Sequence, residues 1–301
     1  MVNSSDSTHL TQCPFSSGDL PYVRELIARA LDSANIVDLD EQLLLSRVQA
    51  TARVWKQGAR IVGFAFVDDY NNLWFELDTH CEMLPRLESE IVKWGLVCAR
   101  ASTGIPGLPS SLDCSSSAHD THRIDMLQRH GFVADEVHSL RYSRSLSDPI
   151  AAYSLPPGFQ IRPVKGVEEL EQLVALHQAS FGTQNLTGEQ RLAMMNASYY
   201  QRELDLVVVA PGGELAAFCV AGWHDQPHGL ARTDPIGTHP RFQRLGLARA
   251  VVSAALGLLK QSGAHTVTLG TSSNNLAMRK LAEDLGFVCV AERLWFSKAI
   301  A

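Results

Sequence analysis

Residues 236–248 read IGTHPRFQRLGLA, and this stretch decides how the second half of the chain folds. It begins inside Leu230–Thr238, which the pattern favours as a strand, and ends inside the apolar-rich run Leu245–Gln261, whose spacing is typical of a helix. Pro240 cannot donate to a sheet, so the strand ends before it. The sequence therefore predicts a strand, a short loop and a helix that begins at Gly246.

The loop and the first helical turn favour the binding of a phosphate group. The first turn of a helix offers N–H groups that have no partner within the helix, at the positive end of the helix dipole. Gly246 and Ala248 let a phosphate approach this backbone closely, and Arg241 and Arg244 add positive charge. An ordinary strand–loop–helix connection with solvated arginines has the same spacing, so the spacing alone leaves both interpretations open.

Strand and helix patterns alternate along both halves of the chain and predict a mixed α/β sheet. In the second half, the patterns predict strands at Phe159–Val164, Leu204–Ala210, Glu214–Trp223, His265–Leu269 and Phe287–Lys298, and helices at Val167–Phe181 and Leu276–Leu285. In the first half, they predict helices at Leu20–Leu31, Leu87–Arg100 and Ile124–His130, and strands at Arg60–Val67 and Asn72–Leu77.

Two motifs of the second half resemble those of a known family. Gln243-x-x-Gly246-x-Ala248 resembles the acetyl-CoA-binding motif Q/R-x-x-G-x-G/A of the GCN5-related N-acetyltransferase (GNAT) superfamily. The stretch from Asn275 to Phe287 resembles the next motif of that family, roughly N-x-A-x-x-x-L-Y-x-x-x-G-F. Both motifs are spaced as in the family, and the resemblance covers about residues 158–298. It implies an α/β fold with a mixed, mostly antiparallel twisted sheet flanked by helices.

The resemblance also implies which residues bind acetyl-CoA as the co-substrate. The amides around Arg244–Ala248 would hold the CoA pyrophosphate, and the backbone of Ile236–Thr238 would pair with the pantetheine arm. Asn275 would contact the arm or position a water. The predicted acetyl-CoA-binding residues are Ile236, Gly237, Thr238, Gln243, Arg244, Leu245, Gly246, Leu247, Ala248 and Asn275. The reaction needs no metal.

Asp234 is the predicted catalytic residue. An amine must be neutral to attack a thioester, so a base, or a water held by one, must take its proton. Asp234 lies at a position where related sequences often carry Glu, although an Asp before a proline is also a common turn former. Three residues of the preceding loop, His224, Asp225 and His228, are alternative bases or partners for a charged substrate.

The second family motif is incomplete at one position. Ala282 stands where the family often has a tyrosine that acts as general acid toward the CoA thiolate. A thiolate is a fair leaving group, because the reference thiol pKa is about 8.5. Solvent, His239 or a hydroxyl group of Thr271-Ser272-Ser273 could replace the tyrosine, and these alternatives stay open. The loss is also compatible with reduced activity.

The length of 301 residues suggests two domains of roughly 150 residues each. A break near residues 143–158 carries three prolines and small polar residues, which places the domains at 1–150 and 156–301. The halves also repeat one another, since Gly131-Phe132-Val133 matches Gly286-Phe287-Val288 at an offset of 155 residues. The sequence therefore predicts two tandem GNAT-like domains.

The first half is predicted to be a degenerate copy that has lost acetyl-CoA binding. An offset of 158 residues places Glu88 opposite Gly246 and Glu90 opposite Ala248. Two carboxylates at the phosphate site would repel a pyrophosphate. We expect the first half to shape the substrate cleft, to replace a dimer partner, or only to cover apolar surface.

Composition excludes several classes of partner. The 26 Lys and Arg residues against 32 Asp and Glu give a net charge of −6 without a basic run, so nucleic acid is not expected as the partner. No window approaches the ~20 apolar residues that span a bilayer, and no signal peptide is visible. The six Cys are far apart, with no CxxC and no zinc-ligand spacing, so we expect reduced thiols, a cytoplasmic location and no metal site. A monomer is expected, in which the two domains form a pseudo-dimer.

These observations predict an N-acetyltransferase whose active site lies in the C-terminal domain. A primary amine, on a small molecule or a peptide, would attack acetyl-CoA directly in a ternary complex. The alternative is a non-catalytic acyl-CoA-binding or scaffold protein. Two features favour it, namely Ala282 in place of the tyrosine and the predicted degeneracy of the first half.

Overall fold

The computed structural model describes residues 9–29, 39–101, 110–184, 186–225 and 228–300. The described residues form two compact units. The first comprises those of Met1–Val137 and Arg293–Ala301, and the second comprises those of His138–Glu292.

The first unit is an antiparallel sheet with helices. Its helices are α1 (Leu20–Arg29), α2 (Leu39–Gln42), α3 (Ser46–Thr51), α4 (Leu84–Arg100) and α5 (Thr121–Arg129). Its strands are β1 (Leu10–Pro14), β2 (Arg53–Gln57), β3 (Arg60–Val67), β4 (Leu73–Leu77), β5 (Ser111–Ser117) and β6 (Val133–Ala134). Strands β1 to β4 pair antiparallel in chain order, and β5 pairs with the last strand of the chain.

The second unit is a mixed sheet with helices. Its strands are β7 (Ser139–Ser145), β8 (Gln160–Pro163), β9 (Asp205–Val209), β10 (Leu215–Asp225), β11 (Leu230–Thr238), β12 (Thr266–Ser272) and the first part of β13 (Val288–Ala299). Its helices are α6 (Leu170–Phe181), α7 (Gly188–Asn196), α8 (Leu247–Gln261) and α9 (Leu276–Asp284). The strand order is β7-β12-β11-β10-β9-β8, in which only β11 and β12 pair in parallel.

The crossover helix α8 holds the parallel pair in place. A parallel connection needs a long crossover, and α8 supplies it between β11 and β12. Its buried residues include Val251 and Leu256, which pack with Val208 of β9 and Val267 of β12 in the main core of the unit. Because α8 is anchored along its length, the loop before it and its first turn are held rigidly beside the end of β11.

The elements predicted for the second half are all present, with small shifts of their ends. The strand Leu230–Thr238 has the predicted bounds, and the helix predicted from Leu245 begins at Leu247. In the first half, strand Arg60–Val67 is also confirmed, whereas β1, β2 and β5 were not predicted. The last two residues of the predicted helix Leu20–Leu31 lie outside the described residues. None of the described helices has the length and apolar character needed to cross a bilayer.

The predicted domains, 1–150 and 156–301, differ from the two units in the placement of the last strand of each half. Strand β7 belongs to the second unit, where Tyr142 pairs opposite Leu269 of β12. Residues 293–299 of β13 belong to the first unit, where Phe296 pairs opposite Cys114 of β5. The local pattern did not reveal this exchange, because sheet pairing joins residues that are far apart in sequence. It also corrects the predicted break, since residues 143–145 continue β7.

Shortening Phe296 is expected to destabilise the first unit selectively. The Phe296 side chain is 1% exposed and lies in the core of that unit, so Phe296→Ala should cost about 3–5 kcal/mol of its unfolding free energy. Hydrogen exchange should show loss of protection at the β5 amides and retention at the β12 amides.

Val288→Ala is the matched control, because Val288 lies on the same strand but is 63% exposed. It should change stability by less than about 0.5 kcal/mol. If Phe296→Ala instead exposed the β12 amides first, the assignment of residues 293–299 to the first unit would be wrong.

Candidate active site

The central feature of the second unit is the separation of β11 from β12. The two strands pair only from Leu230–Arg232 to Thr266–Thr268. Just beyond this point β11 carries a bulge, because Asp234 and Pro235 together lie opposite Val220 of β10. A bulge bends a strand and increases its twist. Beyond the bulge, β11 no longer pairs with β12. The edge of residues 236–238 that faces away from β10 therefore has no strand partner among the described residues.

A cleft of about 630 Å³ opens where the strands separate. Its walls are the last residues of α6, residues 236–238 of β11, the loop after β11, the first turn of α8 and one face of α9. Gly237 makes the close packing on its floor possible. A β-carbon at Gly237 would stand 2.5 Å from Cε1 of Phe218 and 2.8 Å from Cβ of Ser180.

The loop before α8 presents a series of backbone amides to the cleft. In the described part of the chain, the N–H groups from Arg244 to Arg249 donate to no backbone carbonyl. The next N–H group, that of Ala250, donates to Gly246 O at 3.1 Å. Arg244 and Gly246 both have left-handed backbone, with φ of 63° and 77°. Left-handed residues between right-handed ones turn successive N–H groups toward one point, which forms an anion-binding concavity.

Positive side chains flank this concavity. Arg249 and Lys280 both line the cleft, and both pair with Asp284, at 2.5 and 2.8 Å. The hydrogen bond from Lys280 holds the pKa of the Asp284 carboxyl below its usual value. Two cations against one carboxylate leave an excess positive charge at this wall, next to the free amides and the positive end of the α8 dipole.

The predicted acetyl-CoA-binding residues converge in this cleft, with one exception. The structure places Ile236, Gly237, Thr238, Gln243, Arg244, Gly246, Leu247, Ala248 and Asn275 in its walls. The side chain of Leu245 is outside the walls and 44% exposed. Asn275 also caps α9, since its Oδ1 accepts a hydrogen bond from Met278 N at 3.1 Å.

Asp234 lies beside the cleft rather than in its walls. It is exposed on β11, two residues before the first strand residue that lines the cleft. Its Oδ2 lies 3.0 Å from the position that a β-carbon would take on Gly270 of β12, so the carboxylate faces the gap between the two strands. The side chains of His224 and Asp225 lie outside the described residues.

The side chains considered as replacements for the tyrosine have structural partners. His239 Nδ1 accepts a hydrogen bond from Arg241 N at 3.2 Å, and Ser273 Oγ accepts one from His138 N at 3.0 Å. Ser272 Oγ donates to Asn274 Oδ1 at 2.7 Å. Ala282 is fully buried in the core. His239 and both serines are not among the described residues that line the cleft.

Sequence reasoning missed several residues of the cleft. Lys280 and Asp284 follow Asn275 at helical spacing, so the periodicity of α9 could have indicated them. Ser180 and Phe181, at the end of α6, gave no sequence signal. They precede the motif by more than 50 residues, and only tertiary packing brings them next to it.

The first unit differs from the predicted alignment at the corresponding helix. Its helix α4 has Met83 at the N-cap position, where α8 has Gly246, so Glu88 lies inside the helix rather than at its start. Glu88 is 2% exposed and accepts a hydrogen bond from Arg129 at 3.2 Å, and Glu90 pairs with Arg86 at 2.8 Å. The prediction that Glu88 and Glu90 replace Gly246 and Ala248 is therefore wrong, because the loop before α4 is two residues shorter.

A buried ion pair fills the first unit at the position of the cleft. Glu76 pairs opposite Phe64 in the first unit, and Gly237 pairs opposite Phe218 in the second. Glu76 and Gly237 therefore hold equivalent positions in the two sheets. Arg123 of α5 donates to Glu76 Oε2 at 2.9 Å and to the carbonyl oxygen of Phe75 at 3.1 Å. Both charged side chains are buried. They occupy the strand edge that stays open in the second unit.

The comparison with protein families agrees with this geometry. The model of the acetyltransferase (GNAT) family matches residues 170–287, which include every residue that lines the cleft. Residues 170–287 belong to the GNAT family.

Curated proteins that are similar to this chain include mycothiol acetyltransferases. The protein of Thermobispora bispora is 25% identical over 90% of this chain and 92% of its own length. The protein of Pseudarthrobacter chlorophenolicus is 27% identical over 56% of this chain and 55% of its own length. The chain thus spans nearly all of the Thermobispora bispora protein and about half the length of the Pseudarthrobacter chlorophenolicus protein.

Solved structures share the fold over nearly the whole chain. A GCN5-related N-acetyltransferase from Sphaerobacter thermophilus has a TM-score of 0.73 at 16% identity and covers 97% of this chain and 96% of its own. A tandem GNAT protein from the clavulanic acid biosynthesis pathway has a TM-score of 0.73 at 15% identity and covers 97% of this chain and 99% of its own. These similarities show the fold, two tandem GNAT-like α/β domains.

A negative charge at Gly246 is expected to weaken the binding of a phosphate ligand to the cleft. Gly246→Glu places a carboxylate among the free amides, where its repulsion of a pyrophosphate should weaken acetyl-CoA binding by about a hundredfold. Isothermal titration calorimetry with acetyl-CoA measures this loss.

Two controls separate charge from backbone effects. Gly246→Asn tolerates the left-handed backbone without adding charge and should bind far better than Gly246→Glu. Gly257→Glu adds the same charge to α8 at a residue that has open space around it, and should bind normally. Equal binding by Gly246→Glu and the unmodified chain would remove the phosphate site from this loop.

Proposed function

We propose that the second unit transfers an acetyl group from acetyl-CoA to a primary amine, by direct attack of the amine in a ternary complex. The observation that carries the proposal is the run of unpaired amides from Arg244 to Arg249 beside the open edge of β11. The two features lie in one cleft and suit a ligand with a pyrophosphate at one end and an extended amide chain at the other.

The pyrophosphate fits the loop before α8. The amides of Arg244–Arg249 can donate to its oxygens, since they have no backbone acceptor in the described chain. Gly246 has nothing within 4 Å of the position of a β-carbon, so its backbone is open to close approach. Arg249 and Lys280 neutralise the negative charge of the ligand from the side.

The pantetheine arm fits the unpaired edge of β11. Its two amides can pair with the backbone of Ile236–Thr238 as an added strand would, in the place where β12 has turned away. This pairing directs the thioester toward the bulge at Asp234 and Pro235. The thioester supplies an activated acetyl group, and the residues of this chain orient it and manage the proton.

Asp234 is proposed as the general base. Its carboxylate faces the gap between β11 and β12, next to the place where the thioester would lie. Held there, it can take the proton of the attacking amine directly or through a water.

Asp234→Asn is expected to lower kcat by about a hundredfold, because general bases contribute at least that much, with little change in acetyl-CoA affinity. Steady-state thiol release between pH 6 and 8 measures the effect. Asp234→Glu should keep part of the rate. Glu203→Gln, an exposed carboxylate outside the cleft, should be unaffected. An Asn variant with the full rate across this pH range would remove Asp234 as the base.

The first unit is proposed to bind no acetyl-CoA, because the Glu76–Arg123 pair closes the equivalent strand edge. Calorimetry of the unmodified chain should therefore give one acetyl-CoA per chain. A stoichiometry of two, or half-maximal binding retained in Gly246→Glu, would show that the first unit also binds.

The acceptor is proposed to be a small-molecule amine. The relatives that match this chain are named mycothiol acetyltransferases, so the unacetylated form of mycothiol is the first acceptor to test. A thiol-release screen should compare it with amino sugars, polyamines, amino acids and peptides. Acetyl-CoA binding without turnover on any amine would contradict the proposed reaction.

A further inference from the structure

The hydroxyl of Ser180 is buried in the wall of the cleft without a hydrogen-bond partner among the described residues. Ser180 lies in the last turn of α6, which ends at Gly182 with left-handed backbone. A serine inside a helix commonly bonds the carbonyl one turn before it, and this one does not. Ser180 thus lines the cleft with a hydroxyl whose hydrogen-bonding capacity is unused among the described residues.

The surroundings of Ser180 are apolar and aromatic. His177 and Phe181 of α6 lie 4.5 Å apart between ring centres, and Phe218 of β10 lies 5.6 Å from His177. The lowered pKa of His177 shows that this region disfavours a charge. A polar hydroxyl without a partner is unfavourable in such a place. A ligand that brings a hydrogen-bond acceptor to the cleft would remove that cost.

Ser180 faces the strand segment along which an extended ligand would lie. Its Cβ is 2.8 Å from the position of a β-carbon on Gly237, in the middle of residues 236–238. A ligand that pairs with the edge of this segment passes alongside the end of α6, because Ser180 and Gly237 both line the cleft. The groups that such a ligand offers near Gly237 are the carbonyl oxygens of its amides and of its thioester.

We infer that the Ser180 hydroxyl donates a hydrogen bond to a carbonyl oxygen of the acetyl-pantetheine arm. This inference rests on the proposed function and adds to it a side chain from outside both sequence motifs. The backbone of β11 then holds the arm from one side and the Ser180 hydroxyl from another. Ser180 is a substrate-binding residue in this arrangement, and the reaction still depends on Asp234 for proton transfer.

The test compares Ser180→Ala with Thr233→Val. Thr233 of β11 also has a buried hydroxyl without a partner among the described residues, but it does not line the cleft. We expect Ser180→Ala to weaken acetyl-CoA binding about three- to tenfold by calorimetry. The midpoint of its thermal unfolding without ligand should stay the same or rise, because a costly buried polar group is gone. Thr233→Val should bind acetyl-CoA as the unmodified chain does.

Free CoA, which has no thioester carbonyl, identifies the carbonyl. If Ser180→Ala weakens acetyl-CoA alone, the hydroxyl bonds the thioester; if it weakens both ligands, it bonds an amide of the arm. Both results support the inference. Normal affinity of Ser180→Ala for both ligands overturns the inference and leaves the proposed function standing. Failure of the unmodified chain to bind acetyl-CoA overturns both.

Discussion

The parallel strands β11 and β12 are hydrogen-bonded over only three residue pairs, and the site of the second unit depends on this short register. Two residues after the last pair, the bulge at Asp234 and Pro235 bends β11 away. The buried face of helix α8 packs in one core with residues of both strands. The result is an open strand edge in the middle of a sheet, where backbone groups can pair with a ligand instead of with a neighbouring strand.

The two units differ at the strand edge on which this site depends. The first unit repeats the strand and the helix, but Glu76 replaces a glycine, and Arg123 takes the carbonyl oxygen of Phe75. A buried ion pair needs hydrogen bonds to compensate for its desolvation. Arg123 donates two of them to β4, one to the carboxylate of Glu76 and one to the carbonyl oxygen of Phe75. The shorter loop also changes the amides of α4, since Leu84 and Arg86 donate to carbonyls of their own loop. The same fold thus exposes its backbone in one copy and satisfies it internally in the other.

The chemistry of the site follows from backbone more than from side chains. In the described chain, six consecutive amides beside Gly246 have no backbone acceptor, and Gly237 lets α6 approach the strand. Side chains add charge at Arg249 and Lys280 and a carboxylate at Asp234. This division explains why a family motif with few fixed residues can still mark a site, because glycine and alanine are required where the backbone itself binds.

The strand, loop and helix at 236–248 were predictable from sequence, because a proline, a glycine and a helical period are local signals. The convergence of the motif residues in one cleft was expected from the family resemblance and not from local signals. Three features were decided only by the tertiary structure: the exchange of the last strands, the ion pair of Glu76 with Arg123, and the position of Ser180 beside Gly237. Each joins residues that are more than 40 positions apart. Such contacts depend on sheet register and helix packing, which no local pattern specifies.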